Sequence, residues 1–371
     1  MPIFESLWSL VIKMKRAMSK LGVGVIGVGT LGRRHAENLR RAIPSAQLIA
    51  IADADGTRAE QVAADLEVEH HYSHWKPLLD RKDIQAVVIA APSRFHAPAT
   101  QDAAAAGKHV FCEKPPALSL AEAEAAQAAV YKAGVQFQIG FMRRYDPAYA
   151  KAKRQIEAGE IGEPLLFKSI GRDRQPPPRT FFQDGINGTL FLDSTIHEFD
   201  LARWLMNDEV AEVHAFGGVL ACPELAEFGD VDSALVNLRF ARGGIGNVES
   251  LRKANYGYDI RTEIVGSKGA LHVGYLQQTP QLVLTGTSAS YDVVDHWLVR
   301  FADAYLNELR DFVDTVLGGK SVRVGGQEGL RAFAISLAAE RSWRESRPIV
   351  LDASSKLTAS RTEASSSRIA G

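Results

Sequence analysis

Six residues near the start of the chain, Gly27-Val28-Gly29-Thr30-Leu31-Gly32, restrict its fold more than any other stretch. They follow a short apolar run, residues 21–26, and open a helical pattern in which Leu31, Ala36, Leu39 and Ala42 recur. Gly27 makes the tight turn, Gly29 lets main chain approach a pyrophosphate, and Gly32 lets helix and strand pack closely. Thr30 and Leu31 sit in the same loop, and the helix start offers N–H groups and a positive dipole end to a phosphate. A second apolar run, residues 47–53, ends in Asp53, which lies 21 positions after Gly32. A carboxylate there can hold a ribose 2′-hydroxyl and repels a 2′-phosphate, so the pattern favours NAD over NADP. Arg58 stands close enough to soften that preference, and capping of the next helix is the structural alternative for Asp53.

The alternation continues. Residues 85–91 are an apolar strand, 96–106 a helix, 108–112 a strand, 119–133 a long Ala/Glu helix and 135–139 a further strand. Strands alternating with helices argue an α/β fold with a parallel, doubly wound Rossmann sheet, whose ligand sits beyond the carboxyl ends of the strands. Three strand ends carry unusual chemistry: Ala91-Pro-Ser93-Arg-Phe-His96, Glu113-Lys114-Pro115, and residues 140–146 with Arg143 and Arg144. Lys114 precedes two prolines that fix the backbone, which makes it a rigidly placed ammonium at the edge of a cofactor cleft. His96 opens a helix, and packing against the loop is its plainer reading.

Farther on, residues 188–205 read as a glycine loop delivering Asp193 to the mouth of a helix. Asp193 and His197 are four apart and would share one helix face, with His197 in line with Leu201 and Leu205. A partly buried imidazole beside a carboxylate suits proton transfer near neutral pH, although a core histidine satisfied by an acid gives the same pattern. Around it the periodicity changes to that of strands with polar turns, near residues 165–171, 210–220, 233–240, 246–252 and 261–273. Alternation such as Ala234-Leu-Val-Asn-Leu-Arg-Phe240 suits a mostly antiparallel, open-faced sheet in an α+β domain, covered on one face and free to meet a second subunit on the other. Residues 305–317 and 327–342 read as closing helices.

A chain of 371 residues exceeds what one core usually supports, and four segments are expected: an extension (1–19), a dinucleotide-binding domain (20–142), a second α+β domain (143–352) and a disordered Ser/Ala-rich tail (353–371). Within the extension the positive charges Lys13, Lys15 and Arg16 follow the apolar part, the wrong polarity for a secretory signal. Met14 or Met18 would serve as alternative starts. With 43 basic and 44 acidic residues the net charge is −1, which gives no field for nucleic acid or anionic membrane. No run approaches the roughly 18 apolar residues of a membrane span. Two cysteines cannot build a disulfide framework, so a reducing, cytoplasmic setting is expected. The histidines lack ligand spacing for a metal.

Taken together, the GVGTLG loop, the Glu113-Lys114-Pro115 tripeptide and Asp193-x-x-x-His197 resemble the glucose–fructose oxidoreductase/inositol dehydrogenase family, over about residues 20–352. Residues 140–146, Tyr256-Gly-Tyr258-Asp-Ile260 with Glu263-Ile-Val-Gly266, and Trp297-x-x-Arg-Phe-x-x-x-Tyr305 look like the pattern of its inositol 2-dehydrogenases. The resemblance implies an NAD-dependent enzyme that oxidises a secondary hydroxyl of a cyclic polyol, myo-inositol first and another isomer, an aldose or an anhydrosugar next. It implies Lys114, Asp193 and His197 as catalytic groups, and Arg143, Tyr258, Trp297 and Tyr305 as pocket lining. It further implies a homo-oligomer, commonly a tetramer, with a dimer as the smaller choice. One departure is visible: Gly171-Arg172-Asp173 stands where some inositol dehydrogenases place a histidine before an Arg-Asn pair, which assigns Asp173 to the substrate rim. A nicotinamide-bound sensor without turnover is the reading from another class.

Overall fold

The computed structural model describes residues 20–352, so the expected extension and tail lie outside the described residues. The chain divides into two compact units, and neither is one continuous stretch. The first takes the described residues through Lys151, Pro178–Gly188 and His296–Leu330; the second takes Ala152–Pro177, Thr189–Asp295 and the residues from Arg331 on. The expected boundary after residue 142 is a single cut, whereas two later segments return to the first unit.

In the first unit six parallel strands run β1 (Leu21–Ile26), β2 (Ala46–Ala52), β3 (His70–Tyr72), β4 (Ala86–Ile89), β5 (His109–Glu113) and β6 (Phe137–Gly140), in the spatial order β3-β2-β1-β4-β5-β6. This is the doubly wound order in which chain direction across the sheet reverses between β1 and β4, leaving a crevice at their carboxyl ends. Every residue of β1 and β4 is buried, as a sheet covered on both faces requires. The strand β3 was not among the runs read from the sequence: it has three residues, none of them aliphatic. Leu309, Phe312 and Val313 of the helix Ala302–Gly318 enter the same core as Val23, Val25, Leu39, Val88 and Phe111, which explains why that late helix belongs here.

The second unit is built on β7 (Pro164–Arg172), β8 (Val210–Gly218), β9 (Ser233–Phe240), β10 (Ile245–Leu251), β11 (Asp259–Gly266) and β12 (Ala270–Val273). A small ribbon, β13 (Val283–Leu284) with β14 (Ala289–Ser290), stands apart, and β15 (Ile349–Val350) closes the main sheet in the order β12-β11-β7-β10-β9-β8-β15. Only β7 and β10 pair in parallel; their neighbours are antiparallel, as the alternation predicts. In β9 the side chains of Ala234, Val236, Leu238 and Phe240 are buried while Leu235, Asn237 and Arg239 face out. The Gly243 turn, at φ +96°, links β9 to β10. The helix Ile196–Met206 packs on β7. No helix among the described residues is long and apolar enough to cross a membrane.

Candidate active site

The glycine loop has the geometry a bound dinucleotide needs. Gly27 sits at φ +84°, and a Cβ on it would lie 2.5 Å from Ala91 main chain. A Cβ on Gly32 would lie 1.8 Å from the Gly27 carbonyl oxygen. At Gly29, by contrast, nothing stands within 4 Å of the missing Cβ, and this residue opens the helix Thr30–Arg41 without any side-chain cap. Two glycines are therefore demanded by close packing, and the third leaves an open main-chain flank with helix N–H groups behind it. That is a cradle for phosphate, so the residues fit a nicotinamide dinucleotide.

Asp53 accepts from Val28 N–H at 2.8 Å and Asp55 N–H at 2.9 Å, with Arg58 Nη1 3.4 Å from its Oδ1. Its carboxylate is buried against the loop and does not cap the next helix; Asp55 does, accepting from Arg58 N–H at 3.1 Å. Ser93 N–H donates to Asn187 Oδ1 at 3.1 Å. His96 takes the plainer of its readings, packing against the loops. Its Nδ1 meets the Pro115 carbonyl at 2.6 Å and its Nε2 the Ala91 carbonyl at 2.7 Å, so both nitrogens brace strand-end loops and neither is offered to a nucleotide. Burial pushes this imidazole below its ordinary value, against the upward pull of the two carbonyls. A neutral ring can donate to only one of them.

Lys114 is the first residue beyond β5 and is half-buried, and the Lys114–Pro115 peptide is cis. The preceding Glu113 turns into the interior of the unit. Its carboxylate is buried, 2.7 Å from His35 Nε2, and a Cβ on Gly140 of β6 would stand 2.9 Å from it. Glu113 is thus an internal anchor immediately behind the lysine. In the same unit Arg143 lies over the Phe301 ring at 5.6 Å, and Trp297 and Tyr305 meet edge to face at 5.6 Å. Arg143 and Tyr305 are buried side chains, and the Tyr305 ring also meets His35 at 5.9 Å.

In the second unit Asp193 and His197 do not share one helix, as their spacing had suggested. Asp193 ends the turn Leu190–Asp193, and His197 is the second residue of the helix Ile196–Met206. The break is held by Thr195, whose hydroxyl and N–H both donate to the Leu190 carbonyl, at 3.1 and 3.0 Å. Asp193 Oδ2 accepts from Ser194 Oγ at 3.3 Å and from Arg252 Nη1 at 3.2 Å, while Arg252 Nη2 donates to Asp230 at 3.0 Å. The arginine is completely buried. Burial works against its charge, but Asp230, Asp193 and Asp173 outweigh that and raise it above its ordinary value.

The carboxylate of Glu198, the residue after His197, lies on Gly171, where a Cβ would come within 2.6 Å of it. Arg172 is engaged by Glu249 at 2.5 Å and by the Tyr256 hydroxyl, also at 2.5 Å. Asp173 N–H donates to the Leu251 carbonyl at 2.8 Å, and Tyr258 is buried with its N–H on Val294. The predicted residues thus divide by unit: Lys114, Arg143, Trp297 and Tyr305 in the first, Asp173, Asp193, His197 and Tyr258 in the second.

Three site residues were missed by sequence reasoning. Arg252 continues the buried positions Val248 and Ser250 of β10, so period-two alternation turns it inward and calls for buried acids. Glu308 lies between Ala304 and Phe312 at four-residue spacing, and His35 lies between Gly32 and Leu39 on a buried stripe. A charge on an apolar stripe was the available signal.

Comparison with known proteins agrees with this geometry. A family profile described as the oxidoreductase family, NAD-binding Rossmann fold, matches residues 21–141. A second, the GFO/IDH/MocA C-terminal domain, matches residues 149–272. The chain is 39% identical over 328 residues to scyllo-inositol 2-dehydrogenase (NAD(+)) of Bacillus subtilis, covering 88% of this chain and 95% of that protein. It is 38% identical over 332 residues to myo-inositol 2-dehydrogenase of Thermotoga maritima, covering 89% and 98%. The solved scyllo-inositol dehydrogenase of Lactobacillus casei with bound cofactor NAD(H) and scyllo-inositol matches with a TM-score of 0.84 at 29% identity, over 90% of this chain and 99% of that one.

Proposed function

The chain belongs to the GFO/IDH/MocA oxidoreductase family, and from that premise we propose that it oxidises a ring hydroxyl of an inositol, myo-inositol to its 2-keto product, with NAD as the cofactor. The cofactor, when bound, accepts the hydride from the carbinol carbon. The chain's own residues handle the proton and the charge. His197 takes the hydroxyl proton as general base, and Asp193, paired with the buried Arg252, orients the site and supports the imidazolium that forms. Lys114 donates a hydrogen bond to the reacting oxygen as alkoxide character develops. Hydride leaves carbon, the proton leaves oxygen, and a ketone remains. Arg143, Asp173, Tyr258, Trp297 and Tyr305 would hold the remaining hydroxyls.

The observation that carries this reading is the setting of Lys114: a cation leaving the carboxyl end of a Rossmann strand, braced from behind by Glu113. The scyllo isomer is the second reading, favoured by the Bacillus subtilis relative at 39% identity. A panel of myo-inositol, scyllo-inositol, aldoses and anhydrosugars, each with NAD and NADP and followed at the NADH absorbance band, separates them. Turnover with an inositol and NAD is expected; nucleotide binding without any polyol-dependent absorbance change would make the chain a sensor. Leu165, Phe216, Leu235 and Ile245 are exposed residues of the second unit's sheet strands or their edge, which supports association of copies into a homo-oligomer. Light scattering counts the subunits, and a monomer would reject that assignment. The buried free thiols Cys112 and Cys222 suit a reducing cytoplasmic setting.

A further inference from the structure

Three ionisable side chains meet inside the first unit, next to the strand end that carries Lys114. His35 comes from the glycine-loop helix, Glu113 from the end of β5 and Glu308 from the helix Ala302–Gly318. One ligand atom of each lies within 4.8 Å of the others, and none of the three is more than 4% exposed. His35 Nε2 and Glu113 Oε1 form a 2.7 Å contact, whereas neither carboxyl oxygen of Glu308 has a hydrogen-bond partner among the described residues. Apolar rings wall the group: Phe111 and Tyr305 meet His35 edge-on at 5.4 and 5.9 Å.

Two acids therefore face one imidazole in the buried interior. A second carboxylate charge there would have no counter-ion, the arrangement folded proteins avoid. A shared divalent cation fits poorly. Ligands about 2.1 Å from one zinc stand roughly 3.4 Å apart in tetrahedral geometry, but His35 and Glu113 are already at hydrogen-bond distance. A proton on Glu308 resolves the imbalance. We infer that Glu308 is held as a neutral carboxylic acid and is a positioning residue: by filling this site without charge it leaves Glu113 paired to His35 and seated on Gly140, and so fixes the backbone from which Lys114 projects.

Burial and then the Glu113 charge push Glu308 well above the ordinary carboxyl range, in agreement with the geometry. Gln138 Nε2 donates to the Glu308 main-chain carbonyl at 3.0 Å and ties that helical turn to β6. Of the other titratable groups near it, Tyr145 donates its hydroxyl to Asp311, and Arg323 pairs with Asp311. None of these contacts is with Glu308. The folded-state value is raised, so stability is complete below the unfolded value near 4.5 and is lost as pH rises from there toward the folded value.

The kinetic part of this inference rests on the dehydrogenase reading; the protonation part does not. The test compares wild type, Glu308→Gln and Glu308→Ala in the full chain. Melting temperature is read from pH 5 to 9, kcat and both KM values across the same range, and metal content of the purified protein is measured. Glu308→Ala opens a void beside Glu113 and should lower kcat at least about tenfold with KM for NAD within twofold. Glu308→Gln, an uncharged isostere, should restore kcat and melt at or above wild type, by a margin that widens with pH. A Glu308→Gln protein as slow as Glu308→Ala, or one that melts lower at every pH, would overturn the inference, as would stoichiometric metal in wild type that the variant loses. Unchanged kcat in Glu308→Ala would remove the positioning role. If Glu308→Ala does not fold, the pH profiles of Glu308→Gln decide. If wild type turns over no polyol, the dehydrogenase reading fails, and the melting series still decides whether Glu308 carries a proton.

Discussion

The two units solve one problem with the same backbone device and opposite electrostatics. In the first, Glu113 adjoins Lys114 and lies on Gly140; in the second, Glu198 adjoins His197 and lies on Gly171. Each glycine leaves room for a carboxylate that would collide with any Cβ. The surroundings then diverge. Around Glu113 there is one imidazole and a surplus acid, Glu308, and a proton balances the charge. Around Asp193 and Asp230 there is a fully buried guanidinium, Arg252, and an ion-pair network balances it. Neutralising by a proton makes the first cluster tolerant of an uncharged isostere and sensitive to pH. Neutralising by a fixed cation makes the second intolerant of losing that cation.

The sharpest contrast is kinetic. His197→Ala should lower kcat on the order of 10²–10⁴-fold with NAD affinity nearly unchanged, as removal of a general base does. Full turnover in that variant, followed at the NADH band, would strip the second unit of its catalytic part. Next in size is Arg252→Met, which strands the buried carboxylate of Asp230 and the partly buried one of Asp193 and should cost about 3–5 kcal/mol in urea denaturation, while Glu308→Gln costs nothing. Equal losses in the two variants would erase the distinction between the units.

Gly140→Ala and Gly171→Ala test the shared device. Each adds a methyl group against a carboxylate and should destabilise by about 1–3 kcal/mol, read as a lower melting temperature. No loss at either site would show that its carboxylate moves aside freely. The smallest effect concerns His96. Its folded-state value is lowered by burial, so stability is complete above the unfolded value of 6.5 and declines as pH falls toward the folded one. His96→Gln should flatten that decline in thermal melts; an unaltered acid limb would assign it to other groups.

Much of this was legible in the chain itself. The glycine loop, Asp53, the strand series and the position of Lys114 follow from local patterns, because a Rossmann half is written in consecutive units. What was not legible is long-range. The stripe of Leu309, Phe312 and Val313 announces a buried helix face, yet it does not say that the face completes the core of the first unit. Nothing in Ser194-Thr195 breaks a helix by propensity; the Thr195 hydroxyl on the Leu190 carbonyl does so through local geometry. Arg252, Glu308 and His35 were missed: each is a charge on an inward position, but their partners lie 22 to 273 residues away (252 − 230 and 308 − 35).

Hydride transfer from a ring carbon to nicotinamide can be followed by isotopic labelling. With myo-inositol deuterated at the carbinol carbon and excess NAD, wild type should produce nicotinamide deuterated at C4, detected by NMR, with a slowed rate in the burst phase. Nicotinamide that stays unlabelled while inositol is consumed, or inositol that is never consumed by a chain shown to bind NAD, would contradict it.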